Sequence, residues 1–353
     1  MIPRSPPGAA LRQAIRAVPP INDPHDPGFD VGRELAAATI GAASRPIAIA
    51  GGGQVRAGTA SWTDPTMVAK GVFYPDGVTT AEDRLRYYAT QFPVVEVDAT
   101  YYALPRAEQS KLWVERTPDG FVFDVKAHAL MTGQPSEVKR LPKVLREALP
   151  ATLKEKTRIY GKDLPGELKD QLWAMFVEGL QPLRDAGKLT AVFLQFPRWV
   201  FPSNEARAQI LDAKQRLGDI LLTVEFRHGS WFNEKNADRT LRFLTENQLP
   251  YVVVDEPQGF KSSVPPVTAV TLPSLAVFRF HGRREETWEK PNIPPNERFR
   301  YLYDEDELAD WAARIAEAAR SSRETHALMN NCSGNYGTTN ASQLAELLKQ
   351  YQA

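Results

Sequence analysis

The chain has 353 residues and 42% apolar content, enough for one large α/β domain with additional segments. It carries 43 Lys and Arg residues against 43 Asp and Glu residues. The resulting zero net charge argues against binding nucleic acid by overall charge, so any anion recognition must be local. The single cysteine, Cys332, excludes an intrachain disulfide and a multi-cysteine zinc site. The sequence shows neither an apolar run approaching ~18 residues nor a secretory leader pattern, so we expect a cytoplasmic protein without a membrane segment.

The order of the predicted elements indicates a repeating strand and helix unit. Residues 1–53 are rich in Pro, Gly and Ala and predict a flexible N-terminal extension, with one helix near 31–43. The main domain is predicted at 54–353, with strands at 55–60, 94–99, 121–127, 189–196, 220–226, 251–254, 275–280 and 326–329. Helices are predicted at 81–91, 109–115, 204–217, 237–247 and 304–320, with a last helix after the eighth strand. This alternation predicts an α/β fold of the (β/α)8 TIM-barrel class, a single domain with its active face at the carboxyl ends of the strands.

The gap between the third and fourth strands is too long for one helix and two loops, which predicts a helical insertion at about 129–188. Residues 137–169 hold nine Lys or Arg and five acidic residues. This segment leaves the third strand at the active face, so it is either a basic lid over the site or a solvated excursion without a role.

Polar side chains share one face of two predicted strands. Thr223, Glu225 and Arg227 alternate with apolar residues in the fifth strand. Arg279, His281 and Arg283 do the same in the seventh, where two guanidinium groups beside an imidazole suit phosphate or carboxylate oxygens. After the eighth strand, a loop with amides, hydroxyls and glycines opens the last helix and also favours anions. The sequence therefore predicts an anion-binding site at these strand ends.

The same strand ends offer carboxylates and imidazoles that suit a metal site, without any short ligand motif. This alternative set, for zinc or manganese, consists of Glu96, Asp98, His128, Glu225, Asp255 and His281. Four cations of the same predicted face would balance the carboxylates without a metal: Lys126, Arg227, Arg279 and Arg283. We therefore favour a metal-free site with no cofactor. Cys332 follows the eighth strand, where a semi-buried loop residue is favoured over a nucleophile.

Aromatic residues also follow several predicted strands. They include Trp62, Tyr101, Trp231 and Tyr336. Such rings either stack a sugar or a base at the mouth of a barrel or pack its loops.

Ordered sequence blocks give the chain a resemblance to a known family. The blocks are Gly58-Thr59-Ala60-Ser61-Trp62, Phe73-Tyr74-Pro75, Val95-Glu96-Val97-Asp98-Ala99-Thr100-Tyr101-Tyr102, Phe123-Asp124-Val125-Lys126, Leu194-Gln195-Phe196-Pro197, Val224-Glu225-Phe226-Arg227-His228, Val254-Asp255, Arg279-Phe280-His281-Gly282-Arg283, Asn330-Asn331 and Asn340-Ala341. Over about Val55–Lys349 the chain resembles the domain of unknown function 72, or YecE-like, family. The resemblance implies a TIM barrel and no settled activity. Where the family usually carries a Thr/Ser-His pair, this chain has Thr132-Gly133, so that histidine's role is lost or passes to His128.

The leading hypothesis is an enzyme, a hydrolase, lyase or isomerase, that acts on a small anionic substrate by metal-free acid/base chemistry. The expected catalytic residues are Glu225, His281, Asp255, Lys126 and Arg227, with Glu225 or Asp255 supporting proton transfer by His281. The expected substrate-binding residues are Arg279, Arg283, Glu96, Asp98, Gln195, His228, Asn330, Asn331, Trp62, Tyr101, Trp231 and Tyr336. Two alternatives stay open: a metal-dependent phosphodiesterase on nucleic acid, with the basic insertion as a clamp, and a non-catalytic barrel that binds a ligand or partner.

Overall fold

The computed structural model describes residues 44–331 and 333–353. Residues 1–43 of the expected extension, including the helix predicted near 31–43, lie outside the described residues, and so does Cys332. No helix in the described ranges is long and apolar enough to cross a bilayer.

The described residues contain eleven strands, and eight of them form the parallel path of the central sheet. The strands are β1 (Ile47–Ala48), β2 (Gln54–Ala60), β3 (Val94–Val97), β4 (Val122–Lys126), β5 (Pro135–Glu137), β6 (Arg158–Tyr160), β7 (Leu189–Gln195), β8 (Leu222–Glu225), β9 (Val252–Asp255), β10 (Ala276–Phe280) and β11 (Glu324–Met329). The eight main strands follow the order β8-β7-β4-β3-β2-β11-β10-β9. A parallel bridge joins Val224, in the first strand of this path, to Tyr251, directly before the last strand. A nearly closed eight-stranded parallel arrangement of this order confirms the predicted (β/α)8 class.

Helices follow most of the strands. They are α1 (Ala81–Gln91), α2 (Ala107–Glu115), α3 (Lys143–Ala148), α4 (Ala151–Lys154), α5 (Gly166–Asp185), α6 (Asn204–Leu217), α7 (Ala237–Glu246), α8 (Glu285–Trp288), α9 (Pro295–Arg298), α10 (Glu305–Arg320) and α11 (Tyr336–Leu348). Local capping explains several of the starts. Thr80 accepts from the backbone of Asp83, and Ser203 accepts from the backbone of Ala206. The bounds predicted for α1 and α6 are confirmed.

The chain divides into two compact units. The described part of unit 1 comprises residues 44–94, 255–257, 273–331 and 333–353, and unit 2 comprises residues 95–254 and 258–272. In unit 1, β1 pairs antiparallel with β2, with Ile47 opposite Val55, and Ile47 is buried. Residues 44–53, which the sequence analysis assigned to the extension, therefore include a short strand packed on unit 1.

The core of unit 2 is rich in aromatic residues. The rings of Phe196 and Phe226 pack on Trp231, and Trp113 stacks on Phe123. Phe123 lies on β4, Phe196 and Phe226 directly follow β7 and β8, and Trp113 lies on α2. The aromatic packing therefore supports the strands that carry the polar residues described below.

The predicted insertion lies within unit 2, and only its first part is an addition to the fold. After β4 come the antiparallel hairpin of β5 and β6 and the short helices α3 and α4. The twenty-residue helix α5 then takes the place of the ordinary helix that precedes β7. Of the predicted insertion at about 129–188, residues 129–165 thus precede α5.

Candidate functional site

Strand register places three predicted site residues on one face of unit 2. Gln195 of β7 lies opposite Glu225 of β8, and Lys126 of β4 lies opposite Phe193. Because Phe193 and Gln195 are two residues apart in one strand, their side chains share a face. Lys126, Gln195 and Glu225 therefore emerge on the same side of three neighbouring strands, at their carboxyl ends.

The carboxylate of Glu225 is wholly buried and held by two donors. Gln195 Nε2 donates to Glu225 Oε1 at 2.6 Å, and Arg227 Nη1 lies 3.3 Å from the same oxygen. A buried carboxylate is costly unless it is hydrogen-bonded and paired, and these partners supply both. The pair predicted from the alternation of β8 is therefore present. We call Lys126, Gln195, Glu225 and Arg227 the Glu225 cluster.

Lys126 lies at one end of this cluster beside an aromatic ring. Its Nζ is 5.1 Å from the centre of the Tyr101 ring, within the range of a cation–π interaction. Tyr101 donates its hydroxyl to Gln134 Oε1 at 2.6 Å, and Gln134 Nε2 lies 3.5 Å from the backbone oxygen of Gln195. Burial raises the pKa of the Tyr101 hydroxyl, so this hydroxyl is a donor at neutral pH. These contacts link Lys126 to the Gln195 strand.

The other predicted residues of unit 2 have more local surroundings. Glu96 is buried in β3, and Asp98 precedes a 3-10 turn. His228 Nδ1 is 2.8 Å from Ser230 Oγ, beside an edge-on contact with Phe201. Trp231 is wholly buried, and its indole N–H donates to the Val200 backbone at 2.9 Å. The placement of Trp231 argues against its predicted role in stacking a substrate.

His128 is buried and caps the 3-10 turn after β4. Its Nδ1 accepts from the Leu130 backbone N–H at 3.4 Å, and its Nε2 is buried without a hydrogen-bond partner. Burial lowers the pKa of His128 to about 4, so the ring is neutral at pH 7. With Nδ1 accepting, the ring proton sits on Nε2, which leaves no lone pair there for a metal ion.

In unit 1, Asp255 and Arg283 form a close ion pair. Arg283 Nε lies 2.9 Å from Asp255 Oδ2, and Nη2 lies 3.0 Å from Oδ1. Arg283 Nη1 contacts Glu307 Oε1 at 2.7 Å. Burial acts to lower the pKa of Arg283, but the two carboxylates outweigh it and raise that pKa. Two acidic partners thus neutralise Arg283, which argues against its predicted role as an anion clamp.

Asp255 also contacts the buried hydroxyl of Tyr303. Burial, followed by the charge and hydrogen bond of Asp255, raises the pKa of this tyrosine. The backbone N–H of Gly282 donates to the same hydroxyl at 2.9 Å. The Asp255 carboxylate is therefore engaged by the Tyr303 and Arg283 side chains rather than by the imidazole that the sequence analysis paired with it.

His281 contacts Asn330 across the neighbouring strand ends of unit 1. Asn330 Nδ2 is 2.8 Å from His281 Nδ1, and the backbone N–H of His281 donates to the Asp255 carbonyl. When the amide donates, Nδ1 is the acceptor and the neutral ring carries its proton on Nε2. His281 therefore lies beside the loop that follows the eighth main strand, as predicted, and its imidazole contacts the side-chain amide of Asn330.

The remaining predicted residues of unit 1 are buried. Asn331 Nδ2 donates to the Tyr301 carbonyl and to Asn340 Oδ1, both at 2.8 Å, which ties the loop to α11. Arg279 in β10, Trp62 after β2 and Tyr336 at the start of α11 are also buried. Neither of these two aromatic rings offers an open face for stacking.

The alternative metal set is divided between the units. Glu96, Asp98, His128 and Glu225 belong to unit 2, whereas Asp255 and His281 belong to unit 1. Among the described residues, no group of three or more His, Cys, Asp or Glu side chains is close enough to hold a metal ion.

Comparison with known proteins identifies the family. The sequence model of the family "Protein of unknown function DUF72" matches residues 56–353. The chain belongs to the DUF72 family. It is 32% identical over 273 residues to the UPF0759 protein YunF of Bacillus subtilis (strain 168), covering 76% of this chain and 88% of YunF.

Solved structures of other DUF72 proteins agree in fold. A DUF72 family protein from Thermotoga maritima MSB8 matches with a TM-score of 0.65 and 28% identity, over 84% of this chain and 99% of that protein. A DUF72 family protein from Enterococcus faecalis V583 matches with a TM-score of 0.63 and 26% identity, over 83% and 97% of the two chains. These relatives support the fold and carry no stated activity.

The backbone at Gly133 has a conformation that disfavours a side chain. Gly133 has φ +83°, a conformation in which any side chain is strained. Thr132 donates its hydroxyl to the Ala129 carbonyl at 2.9 Å. A histidine at Gly133 would be strained in this chain, and the only nearby imidazole of the same turn, among the described residues, is the buried His128.

Two features of unit 1 escaped the sequence analysis. Ser61, directly after β2, has φ 110°, a strained conformation for a serine, and its Oγ accepts from the Thr63 backbone. Glu307, in the first turn of α10, joins the Asp255 network although it lies on a helix. The backbone angle φ of a serine cannot be predicted from the sequence. The Asp304-x-x-Glu307 spacing predicts a capping box and not the contact of Glu307 with Arg283.

Proposed function

We propose that this DUF72 protein is an enzyme that acts on a phosphate- or carboxylate-bearing substrate by metal-free acid/base chemistry in the Glu225 cluster. Glu225 is the group that transfers the proton. Lys126 and Arg227 stabilise negative charge on the substrate as it develops.

The observation that carries this proposal is that two side chains, those of Gln195 and Arg227, bind the carboxylate of Glu225 at the end of β8. An amide at 2.6 Å and a guanidinium at 3.3 Å hold the carboxylate in place. A fixed and buried carboxylate is suited to remove a proton, because little reorganisation accompanies the transfer. Carboxyl ends of parallel strands are also where (β/α)8 enzymes carry their catalytic groups.

Two cations in the same cluster support the choice of an anionic substrate. Lys126 points from the same face as Glu225, and Arg227 is only partly exposed. A cation in a poorly solvated position attracts an anion more strongly than one in open water. His281 and Asp255, the other predicted catalytic residues, are secondary in this proposal. The carboxylate of Asp255 is already bound by the side chains of Arg283 and Tyr303.

The test begins with ligand capture. Native mass spectrometry of the purified protein identifies bound anions, and thermal shifts with phosphate esters and sugar carboxylates identify further ligands. A ligand that binds is then offered as a substrate to the wild type, Glu225→Gln and Lys126→Met. We expect Glu225→Gln to keep binding and lose about 100-fold or more in kcat, and Lys126→Met to lose affinity.

The matched control is Glu324→Gln. Glu324 is also an ion-paired carboxylate, 2.6 Å from Arg56, but it opens β11 at the amino end of the strand, in unit 1. It should change stability and leave kcat unaltered. Equal turnover by the wild type and Glu225→Gln contradicts the proposal. Turnover lost on adding a chelator supports the phosphodiesterase alternative, and binding without turnover supports the non-catalytic one.

A further inference from the structure

The hairpin of β5 and β6 presents one polar face to solvent within unit 2. In its register Ser136 lies opposite Ile159, and both are buried. Side chains alternate along a strand, so Arg158 and Tyr160 extend from the opposite face. Both are exposed. The hairpin therefore has one face that is buried against the unit and one face that is exposed to solvent.

Exposed aromatic rings and cations alternate on this part of the unit. Tyr160 is 39% exposed, and Lys162 Nζ lies 5.7 Å from the centre of its ring. Tyr102 is 45% exposed, and the Arg140 guanidinium lies 5.4 Å from the centre of its ring. Each exposed ring therefore has a cation beside it, so that a π face and a positive charge lie together.

Positive charge exceeds negative charge at the same place. Three cations converge on one carboxylate, that of Glu137, with N···O distances of 3.1, 3.3 and 4.0 Å for Arg140, Lys139 and Arg158 respectively. One carboxylate balances one of these cations, so two positive charges are left over. In a chain whose net charge is zero, this excess is a local feature.

Direct contacts connect the Tyr102 ring to the hairpin. Tyr102 packs edge-on against Tyr101, with ring centres 4.9 Å apart, and Tyr101 hydrogen-bonds to Gln134, which directly precedes β5. On the other side, Arg140 links Tyr102 to Glu137 of β5. The rings and the cations thus belong to one contiguous surface.

We propose that this surface binds single-stranded nucleic acid. The hairpin surface consists of Tyr102, Lys139, Arg140, Arg158, Tyr160 and Lys162. Exposed tyrosines offer faces on which unpaired bases stack, and the cations between them meet the phosphates. A duplex keeps its bases stacked on each other, so it gains only the phosphate contacts. An acidic protein segment also satisfies the cations but gains little from the rings.

Fluorescence anisotropy with a labelled 12-nucleotide oligothymidine measures the binding. If about three phosphates are neutralised, affinity should fall with a log–log salt slope of about −2, or about 16-fold between 50 and 200 mM salt. Tyr102→Ala and Tyr160→Ala should each weaken binding about ten-fold, whereas the Phe variants, which keep the rings, should bind like the wild type. Arg158→Gln should weaken binding and make the salt slope shallower.

The control for charge is Lys143→Gln. Lys143 lies on α3 in the same segment, with a side chain 78% exposed against 65% for Arg158, and it is not part of the hairpin surface. It should leave affinity unchanged, and thermal unfolding checks that every variant is folded. The proposal is overturned by the absence of binding at 50 mM salt, by equally tight binding of a duplex or of polyglutamate, or by wild-type affinity in both Ala variants.

Discussion

The guanidinium of Arg283 binds the carboxylate of Asp255 through two nitrogen atoms, with Nε 2.9 Å from Oδ2 and Nη2 3.0 Å from Oδ1. The same guanidinium reaches Glu307 at 2.7 Å. Because Asp255 ends β9 and Glu307 lies in the first turn of α10, this network ties a helix to the strand end in unit 1. We expect this network to hold these elements in position.

Removing one partner of this network should destabilise unit 1. Asp255→Asn leaves the Arg283 charge with one carboxylate and weakens two short contacts. Breaking a fully buried pair costs roughly 3–5 kcal/mol, and the partial exposure of Arg283 reduces our expectation to about 2 kcal/mol. Urea unfolding measures the loss. The control Glu286→Gln removes an exposed partner 3.7 Å from Arg284 and should change the free energy of unfolding by less than about 0.5 kcal/mol. Equal effects in the two variants would contradict the positioning role.

The regular elements were the part of the fold that the sequence could predict. The bounds of α1 and α6 follow from local signals, a capping side chain and helical spacing, that act within a few residues. The eight main strands were found because each is an apolar run ending in polar groups. By contrast, β1 has two residues, too few for a period, and it exists because β2 offers a partner. Its Pro- and Gly-rich surroundings indicated a flexible segment instead.

The partners of the charged residues were harder to predict than their positions. Arg283 follows a strand end, as expected, but its partners are 28 and 24 residues away in the chain. Trp231 also follows a strand, and it packs inward because Phe226 and Phe196 surround it. A sequence gives the parity of a side chain along a strand. It does not give the distances that decide which of several opposite charges pairs, or whether an aromatic ring faces solvent.

The buried imidazole of His128 should make stability depend on pH. Burial lowers its pKa from 6.5 to about 4 in the folded state. Between these values the unfolded state binds a proton that the folded state rejects, so the free energy of unfolding rises with pH. The contribution is complete above pH 6.5 and is lost as pH falls towards 4, by up to about 3 kcal/mol.

The variant His128→Asn isolates this effect. Asn keeps an acceptor for the Leu130 backbone N–H but does not titrate in this range. The difference in unfolding free energy between wild type and variant should therefore shrink between pH 7 and pH 4.5, measured by urea unfolding. A difference that is constant over this range would show that His128 is accessible to protons in the folded protein.

The strained backbone of Ser61 makes a prediction that separates strain from hydrogen bonding. Ser61→Ala keeps φ near 110° and loses the acceptor for the Thr63 backbone, whereas Ser61→Gly loses the same acceptor and relieves the strain. Strain of this kind costs of order 1–3 kcal/mol, and the added chain entropy of glycine offsets part of the relief. We expect the free energy of unfolding of the Gly variant to exceed that of the Ala variant by about 1 kcal/mol. Equal stability would mean that the backbone conformation carries no measurable strain.

A carboxylate at Gln195 tests whether Glu225 is charged in the folded protein. Gln195 Nε2 lies 2.6 Å from Glu225 Oε1, so Gln195→Glu places two acidic groups in contact and raises the pKa of the pair in the folded state. The folded variant then holds a proton that the unfolded chain releases, and the penalty appears as pH rises. We expect about 2 kcal/mol of destabilisation at pH 8, decreasing towards pH 4.5. Gln195→Leu serves as the control, because it removes the donor without adding a titrating group. If both variants show the same pH dependence, Glu225 is already protonated at neutral pH and cannot act as the base that we propose.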